Sequence, residues 1–372
     1  MTAENRLIRS EPSPWLHRGR GAVSNATSRF EPHKRAPVAD GWLREEDKPA
    51  LRTHVTDEPA RHILTKNSSP DIPFDRSINA YRGCEHGCVY CFARPTHAYM
   101  GLSPGLDFES KLFAKPEAAV LLEKEISKKG YLPQPIAMGT NTDPYQPIEK
   151  ERRITRDVLK VLHKYDHPVT ILTKSRLVIR DLDLIAPMAE KGLVKVGLSV
   201  TTLDRKLSRL MEPRASAPQR RLDAIKLLSD AGVPTSVMFA PIIPAINDHE
   251  MEAVLSAAAH AGVKEAAFIL LRLPLEVAGL FEEWLETHFP DRKKRVLNRL
   301  AVLRGGKLND PRFKHRMKGS GLEADLMKQR FMNLCRRLQL NAERAQLDVA
   351  HFKKPVLKGG QYNMLDALGP LN

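Results

Sequence analysis

Between about residues 77 and 289, short apolar and β-branched runs alternate with longer stretches whose apolar positions recur at helical spacing. The short runs are SINAYR (77–82), PIAMGT (135–140), PVTILTK (168–174), VKVGLSV (194–200), TSVMFAPII (235–243) and EAAFILLRL (265–273). Each suits a pleated, buried surface and reads as a strand. The clearest helical stretch carries Ile154, Val158, Leu159, Val161, Leu162 and Tyr165 on one face, with Glu149 and Glu151 where a helix N-terminus favours negative charge. Pro116 falls near the start of another helix, Gly192, Gly232 and Gly262 fall just past the ends of three, and Asn247 or Asp248 is a candidate N-cap. Repeated strand–helix alternation predicts parallel strands joined by right-handed crossovers. The stretch is shorter than the roughly 250 residues of a closed eight-stranded barrel. The expected fold is therefore α/β, a partial (β/α)6 TIM-like barrel, whose chemistry gathers at the C-terminal ends of its strands.

The flanks break the pattern. Residues 1–70 are polar and rich in Pro, Gly, Ser and Arg, with Trp15, Phe30 and Trp42 scattered among them, which predicts a largely irregular N-terminal extension. Residues 71–290 hold the barrel, and 291–372 form a basic, mainly helical C-terminal module with a helix over about 322–340. Charge sharpens this division. The chain has 59 Lys and Arg against 44 Asp and Glu, and from Asp291 onward there are 19 against 7, so the last module carries +12 of the total +15. Its densest part, 291–318, has 11 basic and 2 acidic residues interleaved with Phe313, His315 and Met317. DNA or RNA, held by its phosphates, is the expected partner, and a merely solvated face is the alternative.

Four cysteines in 372 residues are too few for a disulfide scaffold, and three lie between Cys84 and Cys91, too close to bridge one another. Reduced thiols in a cytoplasmic protein are expected. No run of about 18 apolar residues and no secretory apolar segment is present. The first strand leads into Gly83-Cys84-Glu85-His86-Gly87-Cys88-Val89-Tyr90-Cys91-Phe92. Thiolates at this CxxxCxxC spacing can converge on one centre while the glycines let the backbone wrap it. Three ligands leave one position of a four-iron cluster open for chemistry. A structural zinc site needs a fourth, for which His86 or His97 would have to serve. Glu85 and His86 are otherwise expected to face solvent. Cys335, on the predicted C-terminal helix with Leu334 and Leu338, reads as a buried apolar residue, and Met138, Met188, Met211 and Met238 as core or pocket filling.

A CxxxCxxC motif with an aromatic residue before its third cysteine, following the first strand of a βα array, resembles the radical S-adenosylmethionine (radical SAM) superfamily. Within it, the chain is similar to the spore-photoproduct-lyase-related, DNA-repair-photolyase-like branch, over about residues 71–290. The resemblance implies that Cys84, Cys88 and Cys91 ligate a [4Fe-4S] cluster whose free iron binds S-adenosylmethionine. Reductive cleavage of that cofactor would then give a 5′-deoxyadenosyl radical that abstracts a substrate hydrogen. It also implies cofactor contacts from Tyr90 to the adenine, from Thr140 and Asn141 near the amino group, from Lys174 to the carboxylate, and from Ser199, Thr201 and Thr202 to the methionyl part or ribose. Arg214 and Pro241–Asn247 fall where the family closes the site.

The chain carries GTNTD (139–143) where many members have GGE, and Asn141 and Asp143 equally suit a turn ahead of Pro144. Lys174 has a solvated lysine as its alternative, and Cys335 a hydrogen-atom donor, since the branch uses a cysteine for that role. The family also implies an electron donor such as a flavodoxin or ferredoxin. A monomer without membrane association is expected. The length, the extension and the lack of a second cysteine near the barrel depart from a dedicated spore photoproduct lyase. The rival functions are radical modification of a protein or small molecule, and an iron–sulfur or zinc protein that binds nucleic acid without catalysis.

Overall fold

In the computed structural model, residues 19–31, 33 and 51–355 are described; Trp15 and Trp42 lie outside them. There are ten strands among these residues: β1 (His54–Asp57), β2 (Leu64–Lys66), β3 (Arg76–Ile78), β4 (Tyr81–Arg82), β5 (Lys111–Ala114), β6 (Ile136–Met138), β7 (Val169–Thr173), β8 (Val194–Ser199), β9 (Thr235–Ile242) and β10 (Glu265–Leu270). The main sheet runs β10-β9-β8-β7-β6-β3-β2. β3 and β6 to β10 are parallel, and only β2 is antiparallel. Helices Ala118–Ile126, Ile154–Lys164, Leu182–Glu190, Pro218–Asp230 and Met251–His260 connect successive strands. Their apolar faces, such as Val158, Leu159 and Leu162, join Val169, Ile171, Val194 and Val196 in one buried core. The α/β fold expected from the alternation is present, an open parallel sheet that ends in two edges.

Three local features differ from the sequence reading. SINAYR is not one strand: the chain turns at Asn79, whose carboxamide oxygen accepts from the Asn141 amide at 3.1 Å, and Tyr81 then pairs with Ala114 in a second sheet, β1-β5-β4. Asn247 does not cap a helix with its side chain. It is buried, accepts from the Ile243 amide at 2.6 Å and donates to the Thr201 and Pro241 carbonyls at 2.7 and 3.0 Å, tying the end of β8 to the end of β9. The extension, in turn, supplies β1 and β2 to the two sheets.

The core also continues past residue 290. Helix Leu322–Arg337 packs Phe331 against Phe268 of β10, with ring centroids 4.8 Å apart, and buries Met327, Leu334 and Cys335 in the main core. Cys335 is approached by the Asn341 amide, which pairs with Ala266 at the start of β10, the end opposite the C-terminal ends of the parallel strands. Burial pushes its thiol up to about 11. It is a core residue and not a donor placed beside the cysteine loop.

One buried side chain holds the basic segment in place. Arg304 follows helix Pro290–Leu303 and donates to the carbonyls of Leu270 and Leu271 at the end of β10 and to those of His315 and Arg316. Leu270 donates to the Met317 carbonyl at 2.9 Å, while the Lys314 amide and the Arg316 side chain reach Asp71 at 2.7 and 2.6 Å. Residues 312–317 thereby run from edge strand β10 to the loop that follows edge strand β2. Among the described residues no helix is long and apolar enough to cross a membrane. Replacing Arg304 with Ala strands the buried Leu270 and Leu271 carbonyls and releases residues 315–316, and is expected to cost about 3 kcal/mol or more. Thermal melting and limited proteolysis should show a lower midpoint and new cleavage within 305–318; an unchanged pattern would refute the clamp.

Candidate active site at the cysteine loop

All six parallel strands end at one rim. The loop that follows β3 and β4 carries the three cysteines, β6 leads to 139–143, β7 to Lys174, β8 to Ser199–Thr202, β9 to Pro241–Asn247 and β10 to Arg272. Cys84 and Cys88 are buried and Cys91 is less so.

The loop is held by a buried ion pair. Arg94, fully buried, donates through Nε to the Cys88 carbonyl at 2.9 Å. Its other nitrogens reach the carbonyls of Gly87, Pro104 and Gly105 at 3.1, 3.1 and 2.9 Å and the Glu109 carboxylate. Glu109, equally buried, accepts in addition from the amides of Gly21 and Ala22 at 2.9 and 2.8 Å. The extension thus lies as a strap over the cysteine loop. A Cβ on Gly21 would stand 1.8 Å from the Gly87 carbonyl oxygen, so only glycine permits this approach. Gly87 itself has φ +68°, and a Cβ there would meet the Glu109 carboxylate at 2.7 Å. From the other side Gln146 accepts from the Glu85 amide at 2.9 Å and donates to the Gly83 carbonyl at 3.3 Å.

A second buried network lies beside Cys88. Glu212 accepts from the Tyr90 hydroxyl, from Thr201 at 2.6 Å and from Arg221, which also donates to the Ser199 carbonyl at 2.9 Å. Burial pushes the Glu212 carboxyl up, but the Arg221 and Lys174 charges and these hydrogen bonds outweigh it and hold it at about 2. Lys174 places its ammonium 5.9 Å from the Tyr90 ring centroid, and that ammonium makes no hydrogen bond or ion pair among the described residues. Burial works against its charge, yet Cys88 and Glu212 keep its pKa above the ordinary lysine value. It is half-buried at the rim and not a solvated surface lysine.

The third group is Asp143. Its carboxylate accepts from Thr173 at 2.6 Å, from the Tyr145 amide at 2.9 Å and from the Lys174 amide at 2.8 Å, and lies 3.3 Å from His86 Nδ1. It both forms the turn before Pro144 and locks the end of β7 to the cysteine loop. Glu85 and His86, expected in solvent, are 4 % and 2 % exposed, because Arg214 and Thr53 hold the first and Asp143 the second. His97 turns Nε2 to the Lys111 carbonyl at 2.9 Å, and His86 turns Nδ1 to Asp143, so each imidazole proposed to complete a zinc site has one ring nitrogen directed at another partner. A cleft of about 540 Å³ opens beside the loop, lined by His86, Lys150, Arg176 and Arg214 among others.

Tyr90, Lys174, Ser199 and Thr201 therefore converge with the cysteines. Thr140 and Asn141 stand on the adjacent loop held by Asn79, and the Thr202 hydroxyl donates instead to Glu250 at 2.5 Å. Glu212, Arg221, Arg94, Glu109 and Gly21 were not singled out from the sequence. Each is a charged or small residue whose role depends on a partner at least nine positions away.

Residues 78–258 match the Radical SAM superfamily. Over that stretch, just under half of its length, this chain is similar to radical SAM domains. An uncharacterised protein of Mycobacterium tuberculosis is 36 % identical over 222 residues, which cover 59 % of this chain and 65 % of that protein's own length. One from Methanocaldococcus jannaschii is 28 % identical over 230 residues, 61 % of this chain and 81 % of the relative. Among solved structures, spore photoproduct lyase complexed with dinucleoside spore photoproduct is 17 % identical and superposes with a TM-score of 0.55, covering 76 % of this chain and 79 % of the other. The two share the fold.

The donor set fits the cluster that a radical SAM domain implies. The three thiols lie within electrostatic reach of one another. Burial pushes Cys88 up to about 12 against the pull of Lys174, and burial, with Asp143 and Cys88, pushes Cys84 well above the ordinary thiol range. Thiols so buried become thiolates when a metal takes the place of the proton. Among the described residues no three His, Cys, Asp or Glu side chains are gathered as a site for a single metal ion.

The Glu212 carboxyl is more acidic in the folded chain than its ordinary 4.5, so its contribution is complete above about pH 5 and is lost as pH falls from 4.5 toward about 2. Glu212→Gln leaves Arg221 without its counter-charge and is expected to cost about 3–5 kcal/mol at pH 7. The gap to wild type, measured by thermal melting across pH, should narrow below about pH 4.5; a constant gap counts against the charge.

Proposed function

We propose that the chain is a radical SAM enzyme in which Cys84, Cys88 and Cys91 hold a [4Fe-4S] cluster and the rim beside them seats S-adenosylmethionine, with nucleic acid as substrate. The observation that carries the reading is the unpaired Lys174 ammonium facing the buried Cys84–Cys91 loop at the strand ends of a region similar to radical SAM domains. Bound there, the two cofactors supply one-electron cleavage of the sulfonium carbon–sulfur bond and a carbon radical that takes a hydrogen atom from substrate.

The chain's residues bind, orient and shield. Lys174 offers a cation to the cofactor carboxylate, and Tyr90, fixed through its hydroxyl by Glu212, offers a ring face to the adenine. Thr201 and Ser199 stand on the same network, and Thr140 and Asn141 on the neighbouring loop. The strap at Gly21–Val23 and the Arg94–Glu109 pair cover the loop from outside, which excludes water from a radical centre. The cationic cleft beside His86 suits an acidic redox protein, a flavodoxin or ferredoxin, as electron donor. Four free thiols fit a reducing, cytoplasmic setting.

The nucleic-acid reading rests on the basic segment and where it lies. Of the 11 basic residues in 291–318, Arg304 is structural and Lys293, Arg299, Arg312 and Arg316 pair with carboxylates. The others, among them Lys307, Lys314 and Lys318, leave net positive charge at the end of β10 for a phosphate backbone.

Anaerobically reconstituted and reduced, the protein should show iron–sulfur absorbance and form 5′-deoxyadenosine from S-adenosylmethionine; absence of both would sink the assignment. Cys84→Ala, Cys88→Ala or Cys91→Ala should each abolish that product, whereas Cys335→Ala should keep its iron. Lys174→Ala is expected to weaken cofactor binding at least tenfold without loss of iron, since a charge-assisted contact contributes about 1.5–3 kcal/mol. A binding titration with parallel iron analysis separates this from a folding defect.

A further inference from the structure

Two exposed phenylalanines at the rim are each backed by an arginine. Phe92 follows Cys91 directly and is 46 % exposed, with the Arg272 guanidinium carbon 4.5 Å from its ring centroid. Phe313, in the basic segment, is 53 % exposed, with that of Arg316 at 5.0 Å. The two pairs are built as a unit. Buried Arg304 grips the Leu270 and Leu271 carbonyls, next to Arg272, and the His315 and Arg316 carbonyls with the same side chain.

The electrostatics of the pairs are unbalanced. Arg316 has Asp71 and Ser69 as partners, but Arg272 has no hydrogen bond or ion pair among the described residues. Burial lowers the Arg272 pKa and the nearby Arg316 charge lowers it further. An arginine drawn partly out of water, beside a second cation and with only Asp71, already paired to Arg316, as a more distant counter-charge, is unfavourable until an anion joins it. An isolated exposed apolar side chain is ordinary. Two aromatic rings stacked on guanidinium groups, flanking an unpartnered cation beside a proposed cluster ligand, make a surface with both flat faces and positive charge.

We infer that Phe92, Arg272, Phe313 and Arg316 form a seat for two adjacent unpaired nucleotides, the rings stacking on the bases and Arg272 receiving the phosphodiester between them. The seat rests on the nucleic-acid reading above and narrows it. Bases inside a duplex have their faces covered by neighbours, whereas unpaired bases present the faces that aromatic side chains bind. Because Phe92 adjoins Cys91, a base stacked on it stands next to the proposed radical centre.

Fluorescence anisotropy of the reconstituted full chain tests this with three probes: a short labelled single-stranded DNA, the RNA of the same sequence, and the DNA duplex. At least one single strand should bind more tightly than the duplex, and comparison of the two shows which sugar is preferred. Phe92→Ala and Phe313→Ala should each weaken single-strand binding roughly 5- to 150-fold and duplex binding little. Phe313→Trp should restore it. Arg272→Gln should weaken binding and reduce the salt slope by about 0.7. Iron content is measured alongside the Phe92 variant, and Phe313, outside the cysteine loop, decides the matter where that variant loses iron. A wild type that binds single strands while all the variants bind equally well overturns the seat and leaves the nucleic-acid reading standing. A wild type that binds none of the probes at low salt overturns both.

Discussion

The buried pair between Arg94 and Glu109 is the constraint on which the site depends. Arg94 takes the backbone carbonyls of Gly87 and Cys88 out of competition, while Glu109 collects the amides of Gly21 and Ala22. A charge pair this far from water is tolerated only when nearly every donor and acceptor is satisfied, and here they are. The result is a cysteine loop whose backbone is fixed before any cofactor arrives, with its outer side closed by a strap that begins more than sixty residues earlier in the chain.

The same device recurs twice around the rim. Arg221 and Glu212 fix Tyr90, Thr201 and the end of β8, and Arg304 fixes the basic segment to the end of β10. Each arginine satisfies its planar set of donors with carbonyls or carboxylates from separate elements. Three separate parts of the sequence, the extension, the barrel and the C-terminal module, are joined at one end of the sheet by buried guanidinium groups rather than by apolar contact alone. Lys174 and Arg272 stand apart, as cations at the rim without such partners among the described residues.

The core and the clamps leave different traces in the sequence. Period-two and helical apolar patterns are local, so the strand runs, the helices between them and the parallel order followed from burial alone, and the cysteine spacing drew attention to its loop. SINAYR was misread because the turn at Asn79 is made by a loop sixty positions away. Glu85 and His86 looked like solvent residues because nothing near them in sequence announces Arg214, Thr53 or Asp143 as partners. Cys335 read correctly as core because helical spacing with Leu334 and Leu338 is a local signal.

By itself, the sequence determined the strand–helix alternation, the CxxxCxxC loop that follows the first strands and the concentration of positive charge beyond residue 290. Tertiary structure alone decided that Gly21 must be glycine, that Glu212 belongs beside Cys88, and that the basic segment closes on β10 with two arginine-backed rings exposed. Apolar patterning repeats along the chain and is therefore legible one element at a time. A buried charge is stable only with a partner, and the partner's position is set by the fold.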